Sequence, residues 1–297
     1  MGGDEPRPCK RILIAKQGFN CRSVGAVEHW KGVETAHRFF SGTGSSYNLI
    51  ANVCTFGFDF WWKRKILREI PKNPKCLLDQ ACGTGILTIK LARRFPHCRV
   101  IGVELRKEYL DIARNRANQL RLSHVEFHLG RAEEIVFSPG IDCITSSYLA
   151  KYADLGTLTH EAKKMLRPGG VLIMHDFTYP YGGVFVRLWK FYFKILQSVG
   201  SWAFPQWDTA FRELPAFLEG TPWVDGLVSC LKESGFRGIR LQRLFMSTAA
   251  MVTATNPSGS LSRDSPENHS KAQKEDSQAN ALENGLVAFD QGSFIKG

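Results

Sequence analysis

The 297-residue sequence predicts an α/β domain, a mostly parallel sheet with helices on both faces. Two features carry that prediction. Short apolar runs alternate with segments of helical periodicity, the arrangement that makes strands parallel and sends helices across them as connections. The runs, such as CLLDQA, CRVIGVE and GVLIMHDF, are continuously apolar and do not alternate, as expected of strands covered on both faces.

Taken in order, CLLDQA (76–81) is followed by a helix through Arg94, and CRVIGVE (98–104) by the helix KEYLDIARNRANQL (107–120). HVEFHL (124–129) and IDCITSS (141–147) are the next strands, with THEAKKML (159–166) the helix after them. Pro168-Gly169-Gly170 should break that helix and release GVLIMHDF, because proline cannot continue a helix and glycine admits positive φ. An aromatic segment, Tyr179 to Trp207, and the helix WVDGLVSCLKESGF lead to two last strands, IRLQRLFM and STAAMVTA. These should close the sheet, the last of them antiparallel.

Apolar residues at 43% and charged residues at 23% exclude a collagenous or wholly disordered chain. A basic arm (1–32) and a Ser/Asn/Glu/Lys-rich tail (255–297) with little to bury are expected to be loosely ordered, flanking one folded domain over 33–254. The net charge of +11 resides in the body, since the tail carries four Lys/Arg against six Asp/Glu. A surplus of that size favours acidic partners such as an anionic membrane or a phosphate. No RNA-recognition, zinc-finger or basic-zipper pattern accompanies it, so no nucleic-acid partner is expected. The eight cysteines never fall at CxxC spacing and no His/Cys cluster joins them, which points away from a metal and toward a reducing compartment, the cytoplasm. No run approaches the ~20 apolar residues of a membrane helix. The basic N-terminal arm leaves organelle targeting open.

The chemistry concentrates in LLDQACGTGILTIKLARRF. Asp79 ends a strand, and Ala81-Cys82-Gly83-Thr84-Gly85 turns into a helix, so the backbone can approach a ligand whose carboxylate meets unpaired N–H donors. Any tight strand-to-helix turn also favours glycine. The next strand strengthens the ligand reading, because Glu104 at its end, about twenty residues on, can receive both hydroxyls of a ribose. A dinucleotide turn would carry a third glycine where Thr88 stands, so the turn suits S-adenosylmethionine (AdoMet) better than a pyrophosphate.

From about Val33 to Ala254 the chain resembles the ubiquinone/menaquinone biosynthesis C-methyltransferase family. The resemblance rests on YNLIANVCTFGFDFWWKR, LLDQACGTG, VIGVELRKEYLDIAR, VEFHLGRAEEIVF, EAKKMLRPGGVLIMHDFTYP, and LKESGF with the strands after it. It implies a Rossmann-like class I methyltransferase fold with a seven-stranded sheet, AdoMet as cofactor, and methyl transfer to a ring carbon of a prenylated quinol. Carried over by position, it implies cofactor contacts from Asp79, Gly83, Thr84, Gly85 and Glu104, with Arg131 and Ala132 beside the adenine and Ser147 at the end of the fourth strand. Arg131 departs from the Asp or Asn usual there and cannot accept a hydrogen bond. Ala150-Lys151 replaces the family's Arg-Asn, and Asn48, Ala51 and Asp59 replace its Asp, Asn and His.

Carbon methylation of a phenol needs its oxygen deprotonated or its negative charge stabilised. Three catalytic candidates follow, each with a plain alternative. Lys151 can stabilise an oxyanion or be a solvated loop lysine. Tyr47 can hydrogen-bond the acceptor or anchor a cap helix, and His175 can be a base or a satisfied core histidine. In VFVRLWKFYFKILQS (184–198), Arg187, Lys190, Lys194 and Gln197 form one narrow polar stripe against an otherwise apolar helix. That helix could cover the site, line a channel for a prenyl tail and lay its basic edge on a membrane, or it could be an ordinary core helix. Two further readings stay open: O- or N-methylation of another small molecule or phospholipid, and a non-catalytic AdoMet-fold assembly factor.

Overall fold

The computed structural model describes Arg11–Leu13 and residues 26–257. After the short strand β1 (Arg11–Leu13), three helices precede the sheet: α1 (Ala26–Phe40), α2 (Tyr47–Cys54) and α3 (Phe58–Glu69). There follow β2 (Cys76–Gln80), α4 (Ile86–Arg94), β3 (Arg99–Glu104), α5 (Lys107–Gln119), β4 (Val125–Leu129), β5 (Ile135–Phe137), β6 (Ile141–Ser147), α6 (Leu155–Met165) and β7 (Leu166–Phe177). A helical insertion comes next, α7 (Gly183–Ile195), a π-helical turn (Leu196–Gly200), α8 (Ser201–Ala203) and α9 (Asp208–Gly220). The chain then makes α10 (Trp223–Glu233), β8 (Arg237–Leu244) and β9 (Ala249–Thr255).

The main sheet has seven strands in the order β4-β3-β2-β6-β7-β9-β8. β9 runs antiparallel to both neighbours, while the remaining pairs are parallel, so the expected last antiparallel strand is inserted next to the edge. Consecutive residues of one strand feed opposite cores. Leu78, Ile144 and Leu172 pack with α6 and α10, whereas Leu77, Cys143 and Ile173 pack with α3 and α4. Burial on both faces is why these strands read as unbroken apolar runs. At the open edge, β8 is largely exposed and carries Arg237, Arg240 and Arg243, charges that discourage edge-to-edge pairing.

One expectation is corrected, and two boundaries are drawn more finely. The Pro168-Gly169-Gly170 turn does not separate α6 from the next strand, because α6 stops at Met165 and β7 already begins at Leu166. β7 pairs Leu166 with Ile141 and resumes at Val171 opposite Cys143, so the turn residues bulge out within one strand, with Gly169 at φ +76°. The basic arm is not wholly without structure: β1 pairs antiparallel with β5, and α1 begins at Ala26. The folded part also passes Ala254, because buried Asn256 donates its side-chain amide to the Leu166 carbonyl (2.7 Å) and exchanges backbone hydrogen bonds with Gly169 and Gly170. The rest of the arm and the tail beyond Pro257 lie outside the described residues.

Candidate functional site

The β2–α4 turn alternates left-handed residues: Ala81 (φ +54°), Gly83 (+58°) and Gly85 (+81°). The two glycines answer different needs. A Cβ on Gly85 would meet Ala113 Cβ at 3.0 Å, so glycine there lets α5 close on the turn. A Cβ on Gly83 would find only the Tyr109 ring at 3.9 Å, so the space over that residue is open. Glu104 ties the turn to the end of β3. One carboxylate oxygen accepts the Gly83 N–H and the other the Arg106 N–H, both at 2.9 Å. Burial raises its pKa against these bonds, which favour the charged form.

Gly83, Glu104, Arg131, Ala132 and Ser147 all line one cavity of about 110 Å³. Thus five of the eight residues expected at the cofactor share a wall, and three do not. Asp79 is buried beneath the turn and accepts hydroxyls from Thr88 (2.6 Å) and Thr145 (3.1 Å); burial still pushes its pKa up to about 6. Thr84 is buried with its hydroxyl 2.8 Å from the Asn48 amide and 3.2 Å from the Arg116 guanidinium. Gly85 faces α5. These three build the turn from behind. Arg131, the departure from the family pattern, directs its guanidinium to Glu134 (3.3 Å) and Glu133 (3.8 Å).

A second cavity, of about 310 Å³ and almost wholly apolar, shares Phe40, Tyr47, Tyr148 and Tyr152 with the first. α2, α7 and α9 close over it, bringing Ile50, Trp189 and Phe211 into its wall. Lys151 is the sole charged residue of the described lining. It is buried, ion-paired with Asp176, and 4.6 Å from the centre of the Tyr152 ring; burial lowers its pKa while Asp176 holds it up. The solvated-loop alternative for Lys151 is therefore set aside. Tyr47 lies at the junction of the cavities, its ring against Tyr109 (5.4 Å) and Trp207 (6.0 Å). His175 is in neither wall. It is fully buried, with Nδ1 3.1 Å from the Ser147 hydroxyl and Nε2 without a partner, and burial pushes its pKa down to about 3. It is a neutral histidine within the core, behind Trp62 and Tyr148 and outside both cavity walls.

One cluster was not picked out from the sequence. Buried Asp59 is ion-paired with buried Lys63 one helical turn on, and accepts the Tyr148 hydroxyl at 2.6 Å. The signal was the i,i+4 acid–base spacing within the apolar FDFWWKRKI, a pair that can be buried only together. Tyr148 itself has φ +70°, a costly backbone state for a bulky residue, and it stands where the two cavities meet. Among the described residues no group of His, Cys, Asp and Glu is arranged to hold a metal ion.

The reversed strand beside the sheet edge, the glycine turn facing an acidic strand end, and the paired cavities define a class I AdoMet-dependent methyltransferase. The model of the ubiE/COQ5 methyltransferase family matches residues 29–256, and the chain belongs to that family. It is 30% identical over 222 residues to the demethylmenaquinone methyltransferase of Thermus thermophilus, covering 73% of this chain and 100% of that one. To the ubiquinone/menaquinone biosynthesis C-methyltransferase UbiE of Rickettsia felis it is 28% identical over 236 residues, 77% and 95% of the two chains. Solved structures share the fold at lower identity. The pyocyanin biosynthetic protein PhzM aligns with TM-score 0.51 at 16% identity, over 74% of this chain and 60% of that one. Phosphoethanolamine N-methyltransferase 2 of Haemonchus contortus, in complex with S-adenosyl-L-methionine, gives 0.51 at 16%, over 66% and 52%. The chain thus spans little more than half the length of these two structures.

Proposed function

We propose that the enzyme methylates a ring carbon of a quinol or phenol bearing an apolar tail, the acceptor class named for its relatives, and that it meets this acceptor at a membrane surface. The observation that carries the reading is the apolar cavity of about 310 Å³ that joins the cofactor cavity through Phe40, Tyr47, Tyr148 and Tyr152, with Lys151 the one charged residue among the described residues that line it. Such a pocket suits a ring with a hydrocarbon tail and repels a zwitterionic or multiply charged acceptor, whose desolvation nothing there would offset.

AdoMet, when bound, supplies an electrophilic methyl group on a sulfonium. On this reading Glu104 would receive the ribose hydroxyls, Gly83 would leave room for the chain of the cofactor, and Ala132 would lie beside the adenine. Glu133, which also lines the cavity, can supply the acceptor that Arg131 lacks. Asp79, Thr84 and Gly85 would hold the turn in shape, and Ser147 would serve from the end of β6.

The residues around the junction would do three things. The four aromatic walls exclude water and present electron-rich faces to a positively charged sulfur. Tyr47 and Tyr148 orient the acceptor ring. The Lys151 ammonium, in the wall of the acceptor cavity, stabilises negative charge on the acceptor oxygen once its proton has passed to solvent; the ring carbon then takes the methyl group as the methyl–sulfur bond breaks, and the ring proton moves to that oxygen as aromaticity returns. Incubation with methyl-labelled AdoMet and a dithionite-reduced prenylated benzoquinol tests the reading. An aryl methyl signal by NMR is expected. Label found only as a methoxy group, or not at all, overturns carbon methylation.

A further inference from the structure

The insertion between β7 and α10 does not bury its apolar residues as its sequence suggests. Along the continuous helical run from α7 through the π turn into α8, Val184, Leu188, Phe191, Ile195, Val199 and Trp202 are all exposed. Their spacings of 4, 3, 4, 4 and 3 put them on one face. The core takes the other side, through Trp189 and Phe193. Arg187, Lys190 and Lys194 are exposed on one flank of this stripe. Gln197, expected to continue the polar row, instead turns inward and donates to the Phe211 carbonyl.

Two more segments carry the patch beyond a single helix. Phe56, between α2 and α3, packs on Tyr192 of α7 (5.1 Å between ring centres), and Tyr192 donates to the Cys54 carbonyl. Phe58 packs its ring, tilted, against Phe245 at the β8–β9 turn (4.0 Å between ring centres). That turn holds Phe245, Met246 and Ser247 at positive φ, a strained conformation that leaves Phe245 and Met246 exposed. Trp202 is 84% exposed, Phe56 69%, Phe191 62% and Met246 61%, values a monomer in water rarely shows for large apolar side chains grouped together. Phe56, Leu188 and Phe245 also line the acceptor cavity, so the cavity opens within this patch. Arg243 lies over the Tyr181 ring at its border (4.6 Å).

We infer that this face, made by α7–α8, the α2–α3 junction and the β8–β9 turn, docks on an anionic lipid bilayer, with the apolar side chains entering the headgroup boundary and the acceptor cavity opening toward the lipid. A bilayer fits better than a protein partner on two counts. The rim is cationic, in a chain of net charge +11. A cavity opening among Phe56, Leu188 and Phe245 of the patch would be blocked by a docked protein, whereas a lipid surface lets a membrane-borne acceptor pass into the site without crossing water. The inference rests on the tailed-acceptor reading above and names the surface through which that acceptor enters.

Sedimentation of the full chain with vesicles tests it without turnover. Phosphatidylcholine vesicles with about one-third phosphatidylglycerol should carry the protein down at low salt. The variant Phe191→Ser/Trp202→Ser/Met246→Ser, none of whose positions lines the cavity, should partition at least tenfold less. Arg187→Glu/Lys194→Glu should lose the preference for anionic over neutral vesicles. Both should keep wild-type melting temperatures and methylate a short-tailed, water-soluble quinol at the wild-type rate. Wild type that stays in solution with every vesicle overturns the inference, as does an apolar variant that partitions like wild type. A dimer in light scattering that the apolar variant dissolves would assign the face to a second copy and overturn it too. Because the vesicles hold no acceptor, docking can succeed where methylation of the quinol fails, and the reverse.

Discussion

Tyr148 reaches across from the end of β6 to donate its hydroxyl to Asp59 of α3 at 2.6 Å, joining the sheet to the helical cap over the site. Burial works against the Asp59 carboxylate, but the Lys63 ammonium and the hydrogen bonds from Lys63 and Tyr148 outweigh it and hold the pKa below the usual carboxylate range. A depressed folded pKa gives stability that is present above the unfolded value of about 3.9 and lost as pH falls through the folded one. Tyr148→Phe removes one bond to a charged acceptor and should cost about 1.5–3 kcal/mol in urea unfolding at pH 7. It should also move the acid-unfolding midpoint up. Acid unfolding unchanged from wild type would mean that Asp59 does not depend on this bond.

The same bond has a consequence for the acceptor. With its proton committed to Asp59, the Tyr148 oxygen can only accept, so it favours a hydroxyl over a carbonyl or ether. A prenylated phenol should therefore bind more tightly than its methyl ether by about tenfold, the worth of one hydrogen bond. In Tyr148→Phe the ratio should fall to near one with AdoMet affinity intact. Calorimetry with both ligands measures it, and a ratio that survives the substitution removes Tyr148 from acceptor recognition.

Two buried groups should oppose one another in pH dependence. His175, pushed down to about 3, stays neutral in the fold while the unfolded chain takes up a proton below about 6.5, so its contribution makes stability rise with pH across that window. Asp79, pushed up to about 6, holds a proton in the fold that the unfolded chain releases above about 3.9, so its contribution makes stability fall as pH rises from 4 to 6. Removing Asp79 by Asp79→Asn should leave His175 unopposed. Between pH 4.5 and 6 the variant should gain about 2 kcal/mol relative to any change in wild type, at about 1.4 kcal/mol per unit. Parallel stability curves for the two proteins would show that Asp79 titrates normally in the fold.

Much of this was legible in the sequence because local chemistry and global fold agree there. The continuous apolar runs announced strands buried on both faces, and the glycine turn with Glu104 twenty-one residues after Gly83 singled out two residues that line one cavity. What was hidden depends on tertiary placement. β1 and β5 are three residues each and too short for any period. The strand through Pro168-Gly169-Gly170 looked like a turn because a bulge uses the same residues. In α7 the apolar positions nearly surround the helix, so periodicity could not tell which of them face the cavity and which face outward. The burial of Asp59 and Lys63 comes from the packing of α3 on β7, a long-range placement that their i,i+4 spacing alone does not dictate.

The cofactor turn supplies the last prediction, which separates binding from folding. Glu104 spends one oxygen on each of two backbone N–H groups, and a carboxylate oxygen can accept more than one hydrogen bond, so capacity remains for the ribose hydroxyls. Glu104→Ala removes the proposed ribose contact and both loop ties together, and should weaken AdoMet at least tenfold while also lowering the melting temperature. Glu104→Gln keeps one oxygen acceptor but turns an NH₂ group toward either the Gly83 or the Arg106 N–H, so it should bind almost as poorly. The glycines divide the two effects. At Gly85 a methyl group would collide with Ala113 across the α4–α5 contact and the backbone is left-handed, so Gly85→Ala should destabilise the fold. Gly83→Ala meets the same backbone cost but no wall, and its methyl enters the space over the turn, so its larger effect should fall on AdoMet affinity. Calorimetric titration with AdoMet beside thermal melts of the four variants measures both. If Gly83→Ala melts lower than Gly85→Ala yet binds AdoMet like wild type, the open space over Gly83 is not where the cofactor lies.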